Sequence, residues 1–266
     1  MKQLPNSRFK FFPQLNELAQ DGWLNSANTF FSNITDKHFN SDTLQDKFLR
    51  EIALARLLPI KEIFETFEFF ARIRKSTKSR VVADLCCGHG LLGILFAMFE
   101  RKVEKVLLVD RSESQSRLQL VEIANSVAPW VAEKLTMQVA SIDSNGDWSK
   151  PNSGVAIVSA HACGELSDIC IAIAIKNRGP LAILPCCYPR SGCRAPLAIQ
   201  TQFGLETAFD IDRTFVLEAA GFQVRWGEIP PQITPMNRVI YAHPKNAPTA
   251  AGIHDAAQPI VSNFNR

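Results

Sequence analysis

From Arg80 onward, short apolar runs alternate with helix-forming stretches, and this limits the folds open to the chain more than any other feature. Residues 81–85, 103–109, 135–140, 155–160 and 181–184 are rich in Val, Ile, Leu and Ala and short enough for buried strands. Between them, 91–99, 112–127 and 166–176 carry helical signals. Gly90 opens the first of these helices, and Ser112-Glu-Ser-Gln115 reads as a capping box for the second. Further on, 214–220 is a helix stopped by Gly221, followed by strands at 222–228 and 238–242. The spacing predicts an α/β fold: a doubly wound, mostly parallel, seven-stranded Rossmann-like sheet.

Residues 1–79 read differently. Leu44, Phe48, Ile52 and Leu57 fall at helical spacing, and Pro59 breaks the pattern before the aromatic run containing Phe64, Phe67, Phe69 and Phe70. Phenylalanines in such density predict packing and not a ligand cage. The expected organisation is an N-terminal helical segment (1–79) covering a catalytic domain (80–243), then a mobile tail (244–266) rich in Ala, Asn and Pro. The N-terminus has no uninterrupted apolar core, and no apolar stretch is long enough to span a bilayer, so neither a signal peptide nor a membrane partner is expected. Seven cysteines, four of them in the adjacent pairs Cys86–Cys87 and Cys186–Cys187, read as reduced thiols and predict a cytoplasmic protein. A net charge of +3 is too mild to declare a nucleic-acid binder.

Gly88-His-Gly90-Leu-Leu-Gly93 lies between a predicted strand and a predicted helix, the position of a nucleoside-binding loop. Asp84 separates the nucleosides. A carboxylate four residues before Gly88 would repel the pyrophosphate of a dinucleotide, whereas it would attract the ammonium and sulfonium of S-adenosylmethionine directly. Asp110, ending the second strand, is placed to accept the ribose hydroxyls, and Asp143, ending the third, to accept the adenine amino group. Cys86, Arg111, Ile142 and Ser159 stand at the same strand ends and complete the candidate cofactor set with Gly88 and Gly90.

Three segments in order, Asp84-Leu-Cys-Cys-Gly-His-Gly90, Ser159-Ala-His-Ala-Cys-Gly-Glu-Leu-Ser-Asp168 and Pro185-Cys-Cys-Tyr188, resemble a class I methyltransferase family. That family includes the eukaryotic tRNA acceptor-stem ribose 2′-O-methyltransferase and methyltransferase-like proteins. The resemblance covers roughly residues 60–190. It implies an S-adenosylmethionine-dependent methyltransferase and makes RNA, tRNA in particular, the preferred acceptor over protein or a small molecule. The Cys/His zinc modules that the tRNA enzyme carries outside its catalytic domain have no counterpart in this sequence.

In such a sheet Cys86–Cys87, His161–Cys163 and Cys186–Cys187–Tyr188 converge at the crevice where ligands bind. They suit packing around the methionine part of the cofactor, and His161 or Tyr188, with Cys163 beside them, is a candidate to take a proton from the acceptor. No metal is expected, because adjacent cysteines on extended backbone point to opposite faces. The basic run from Arg72 to Arg80 feeds the far edge of the sheet and reads as a solvated helix end; Arg190, Arg194 and Arg238 fall on the active side. An NAD(P)-dependent oxidoreductase and a non-catalytic cofactor-binding adaptor are the competing readings. The sequence leaves the oligomeric state open.

Overall fold

The computed structural model describes residues 8–18, 24, 26–28, 37–143, 154–189 and 191–245. The loop expected at 144–153, Arg190, and the tail from 246 onward lie outside the described residues. In chain order the elements are α1 (Leu15–Leu18), α2 (Leu44–Ala55), α3 (Ile60–Ile73), β1 (Val81–Leu85), α4 (Leu91–Phe99), β2 (Lys105–Asp110), α5 (Gln115–Val127), α6 (Val131–Lys134) and β3 (Leu135–Val139). They continue with β4 (Ala156–Ser159), α7 (Leu166–Asn177), β5 (Leu181–Ile183), α8 (Leu197–Phe203), α9 (Leu205–Ala219), β6 (Phe222–Glu228) and β7 (Arg238–Pro244).

The seven strands form one sheet in the order β3-β2-β1-β4-β5-β7-β6. The first five in sequence pair in parallel, with Ala83 beside Leu107 on one side and Ile157 on the other. β7 runs antiparallel between β5 and β6. A dinucleotide fold would end instead in a further parallel strand.

Alternation along the strands sends side chains into two cores. Val82, Val106, Leu108, Ala156 and Val158 meet α4, α5 and the N-terminal helices on one face. Ala83, Leu85, Val109, Ile157 and Ile183 meet α7 and α9 on the other. The phenylalanines of α3 are packing residues: Phe64, Phe67, Phe69 and Phe70 are fully buried. Phe12 lies edge-on to Phe64 at 5.3 Å and Phe70 to Phe96 at 5.0 Å, which joins the N-terminal segment to α4. The buried Glu68 carboxylate accepts from the backbone N–H of Lys10 (2.9 Å) and Phe11 (2.8 Å) and pairs with Arg72. That carboxylate therefore anchors residues 9–12 to α3.

Pro59 separates two helices, α2 and α3, as the break in the pattern predicts. Three details differ from the sequence-based expectation. The capping box does not form: α5 starts at Gln115, and the Ser112 N–H goes to Asp110 Oδ1 (3.3 Å). α9 begins at Leu205 and not near Thr214, because its first half buries Asp210 and Arg213, which interrupt the apolar stripe that marks a helix. α8 was not expected at all, as it buries none of its residues. Among the described residues no helix is long and apolar enough to cross a membrane.

Candidate active site

Parallel strands leave their carboxyl ends, and the loops that follow, along one edge of the sheet, and the cofactor loop follows β1. Cys87 N–H donates to Val109 O (3.0 Å), and Gly90 N–H closes a tight turn onto Cys87 O (2.7 Å). Gly88 and Gly90 have φ of +53° and +77°, values that favour glycine. Cys86, where class I enzymes usually have glycine, also sits in the left-handed region at +54°. A Cβ on Gly88 would meet nothing within 4 Å, which leaves open space above the loop; one on Gly93 would lie 2.3 Å from Leu108 Cδ2. Gly88 thus gives a ligand room to approach, and Gly93 lets α4 pack against β2.

Asp84 has a different place from the one expected. It is fully buried, and its Oδ2 accepts the Gly93 N–H at 2.9 Å. Burial pushes its carboxyl up to about 7, against the lowering effects of that hydrogen bond and of Arg117. Asp84 therefore holds the start of α4 from beneath the loop. Asp110 Oδ2 accepts from Gly88 N (2.9 Å) at the mouth of the loop, where a ribose partner belongs. Arg111 is exposed beside it, Ile142 is buried at the end of β3, and Asp143 is exposed on the rim.

The sequence reading missed Arg117. This buried guanidinium donates from Nε to Gly88 O (2.9 Å) and from Nη2 to Ser112 O (2.7 Å), clamping the loops after β1 and β2 together. The available signal was an arginine on the buried face of α5. Glu62 and His89 were missed as well. The start of α3 brings Glu62 Oε2 to 3.3 Å from His89 Nε2, and this contact holds the Glu62 carboxyl below its usual range. His89 Nδ1 accepts the Leu91 N–H (3.2 Å), so the ring proton sits on Nε2, facing Glu62.

The His161 ring centroid is 6.1 Å from that of His89. Burial, and then His89, push the His161 imidazole down to about 4. It is therefore neutral near pH 7. Its Nε2 and the Oγ of Ser159, both buried at the end of β4, have no hydrogen-bond partner. Buried polar atoms without partners are costly, and both atoms belong to the strand end that pairs with β1.

Tyr188 sits in a network of charged side chains. Its hydroxyl donates to Asp210 Oδ2 (2.8 Å), and burial followed by that carboxylate raises its pKa. Asp210 also accepts from Arg238 Nη1 (2.8 Å), and the buried Arg213 pairs with both Asp168 (2.9 Å) and Asp210 (3.4 Å). This partly buried network fixes the orientation of the Tyr188 ring and directs its hydroxyl proton to Asp210. Arg194, on the same side, pairs with Asp212 (3.1 Å). Cys163 Sγ lies 3.1 Å from Cys186 Sγ, and Cys186 Sγ is 3.8 Å from Cys187 Sγ. Adjacent cysteines do converge, because β5 ends at Ile183 and strand alternation no longer applies.

The basic run lies on the opposite edge. Arg72 is buried against Glu68 instead of being solvated, while Arg74 pairs with Glu100 and Arg80 with Glu104. A cavity of about 660 Å³ lies there, lined by Arg74, Lys75, Lys78 and Lys102 among others. It lies below the strands, away from the glycine loop.

Residues 59–190, about half of the chain, match a family model described as a methyltransferase domain. This segment, which holds the glycine loop and the acidic strand ends, is a methyltransferase domain, with S-adenosylmethionine as its cofactor. The chain is similar to a glutathione S-transferase C-terminal domain-containing protein of Xenopus laevis, with 28% identity over 107 residues, or 40% of this chain. It spans 16% of the length of that relative. Among solved structures, a ribosomal protein L11 methylase from Lactobacillus delbrueckii subsp. bulgaricus shares 14% identity, covering 68% of this chain and 80% of its own, with a TM-score of 0.42. A SAM-dependent methyltransferase from Aquifex aeolicus shares 20% identity over 65% of this chain and 88% of its own, with a TM-score of 0.38.

The donor set fits the cofactor. Open space over Gly88 and the Asp110 carboxylate at the second strand end offer room and an acceptor to a nucleoside without phosphates.

Proposed function

We propose that the acceptor is RNA, as an unpaired nucleotide held against the rim beyond β5. The observation that supports this reading is α8. It exposes Leu197 and Phe203 (76% and 57% exposed) while Arg194 stands just before it. An exposed ring offers a face on which a base stacks, and Arg194, largely exposed beyond its contact with Asp212, offers a partner to a phosphate. The three-motif resemblance to a family that includes a tRNA methyltransferase points the same way.

Bound S-adenosylmethionine supplies an electrophilic methyl group. The protein's own task is then alignment. Asp110, Ser159 and the Gly88 backbone hold the nucleoside, Arg117 and Asp84 keep the loop in shape, and neutral His161 offers Nε2 to orient the accepting atom. The free thiols suit a reducing compartment, and we place the enzyme in the cytoplasm.

The test is radiolabelled methyl transfer from the cofactor onto RNA, protein and metabolite fractions of cells lacking the gene. Label that ribonuclease releases is the expected result, and Phe203→Ala should raise KM with kcat little changed. Label in protein or metabolites, or a cofactor-bound enzyme that labels nothing, overturns the RNA reading; the last outcome would favour an adaptor.

A further inference from the structure

We propose that Cys163, Cys186 and Cys187 form a three-thiolate site for a thiophilic divalent cation, zinc in the first instance, which clasps the loops after β4 and β5. The three sulfurs all lie within 4.8 Å of one another, with two separations of 3.1 and 3.8 Å. Zinc–sulfur bonds of about 2.3 Å in tetrahedral array put ligand sulfurs about 3.8 Å apart, so the cluster needs only small adjustments.

The backbone already holds the two loops together, since Gly164 N–H donates to Cys187 O at 3.2 Å. Cys163 and Cys187 are exposed and Cys186 is half-buried, which gives a cation an entry path and leaves a fourth coordination position open. Sulfur ligands select zinc over magnesium or calcium.

Binding converts three thiols to thiolates and releases up to three protons to solvent, with no change in oxidation state. The clasp would fix the two loops that carry His161 and Tyr188. A competing fate of the same sulfurs is a Cys163–Cys186 disulfide, which needs a two-electron oxidant such as a peroxide and leaves Cys187 unused.

The experiment uses the full chain, purified anaerobically under reduction, stripped with a chelator and titrated with Co²⁺ as a spectroscopic stand-in. A thiolate-to-cobalt charge-transfer band saturating at one equivalent and bleached by Zn²⁺ is expected. Cys163→Ser and Cys187→Ser should each weaken binding by more than about a hundredfold, beyond what loss of an outer-shell partner costs. Cys193→Ser, at a half-buried thiol outside the cluster, should leave binding unchanged.

Absence of the band in the wild type, equal loss in Cys193→Ser, or a mass two protons lighter with Cys163 joined to Cys186 overturns the proposal. The wild-type titration decides by itself if a variant fails to fold. These readouts do not involve methyl transfer, so a cobalt-binding enzyme that labels protein refutes the RNA acceptor and leaves the clasp standing.

Discussion

Replacing Asp84 with Asn should stabilise the free protein at pH 8 and weaken its hold on the cofactor. The folded-state carboxyl sits at about 7 against 3.8 for an ordinary aspartate, with burial as the leading cause. A raised acid binds its proton more tightly in the folded state. Wild-type stability therefore falls as pH rises from about 4 through about 7 and is flat above that. At 1.36 kcal/mol per unit the loss is about 4 kcal/mol as an upper bound. Asn keeps an oxygen for the Gly93 N–H but brings an amide donor without a partner, at a cost of about 1–3 kcal/mol. The net gain at pH 8 is then about 1–3 kcal/mol, read as roughly 2–4 °C in Tm per kcal/mol for a chain of this size. At pH 5 the wild-type carboxyl is protonated and the gain should vanish or reverse. Calorimetric titration with S-adenosylmethionine at pH 8 should show Kd raised about tenfold or more, roughly 1.4 kcal/mol, since the cationic ligand loses a carboxylate beneath its loop. A variant whose stability difference from wild type is the same at pH 5 and pH 8 would refute the buried-charge argument. An unchanged Kd would leave Asp84 a purely structural anchor.

Three further outcomes follow from the packing. Gly93→Ala puts a Cβ 2.3 Å from Leu108 Cδ2 and 3.0 Å from Val106 Cγ1, so denaturant unfolding should report a loss of about 1–3 kcal/mol from overpacking. Glu65, pushed up to about 7 mainly by burial and only 3.7 Å from Lys61, costs the fold stability as pH climbs from about 4.5 to about 7. Glu65→Gln should make that slope shallower, leaving the part due to Asp84, and gain up to about 3 kcal/mol at pH 8; an unchanged slope would locate the titration elsewhere. Tyr188→Phe removes a hydrogen bond to the buried Asp210 and should cost about 1.5–3 kcal/mol of stability with kcat unchanged. A fall in kcat of about a hundredfold or more would restore the hydroxyl to catalysis.

The succession of strands and helices along the chain, the glycine loop and the positions of Asp84 and Asp110 at strand ends were legible because each rests on local pattern: apolar runs of strand length, glycines at a turn, an acid at a fixed offset. Where the pattern fails, the cause is a buried polar group. Asp210 and Arg213 hid half of α9, since a stripe interrupted by charges does not register as amphipathic although the two charges satisfy each other. Glu68 hid the anchoring of residues 9–12 in the same way.

The sequence by itself determined the class of fold and the edge of the sheet on which the chemistry sits, because backbone periodicity and turn geometry are local properties. Only the tertiary structure decided what each polar side chain does there. It buried Asp84 beneath the loop and tied Tyr188 to Asp210. It also left His161 and Ser159 unpartnered and drew Cys187 to the same side as Cys186. Those outcomes depend on desolvation and on partners far apart in the chain, such as Glu62 with His89 and Arg117 with Gly88. No local pattern carries that information, since the energy of a buried charge is set by what surrounds it in space.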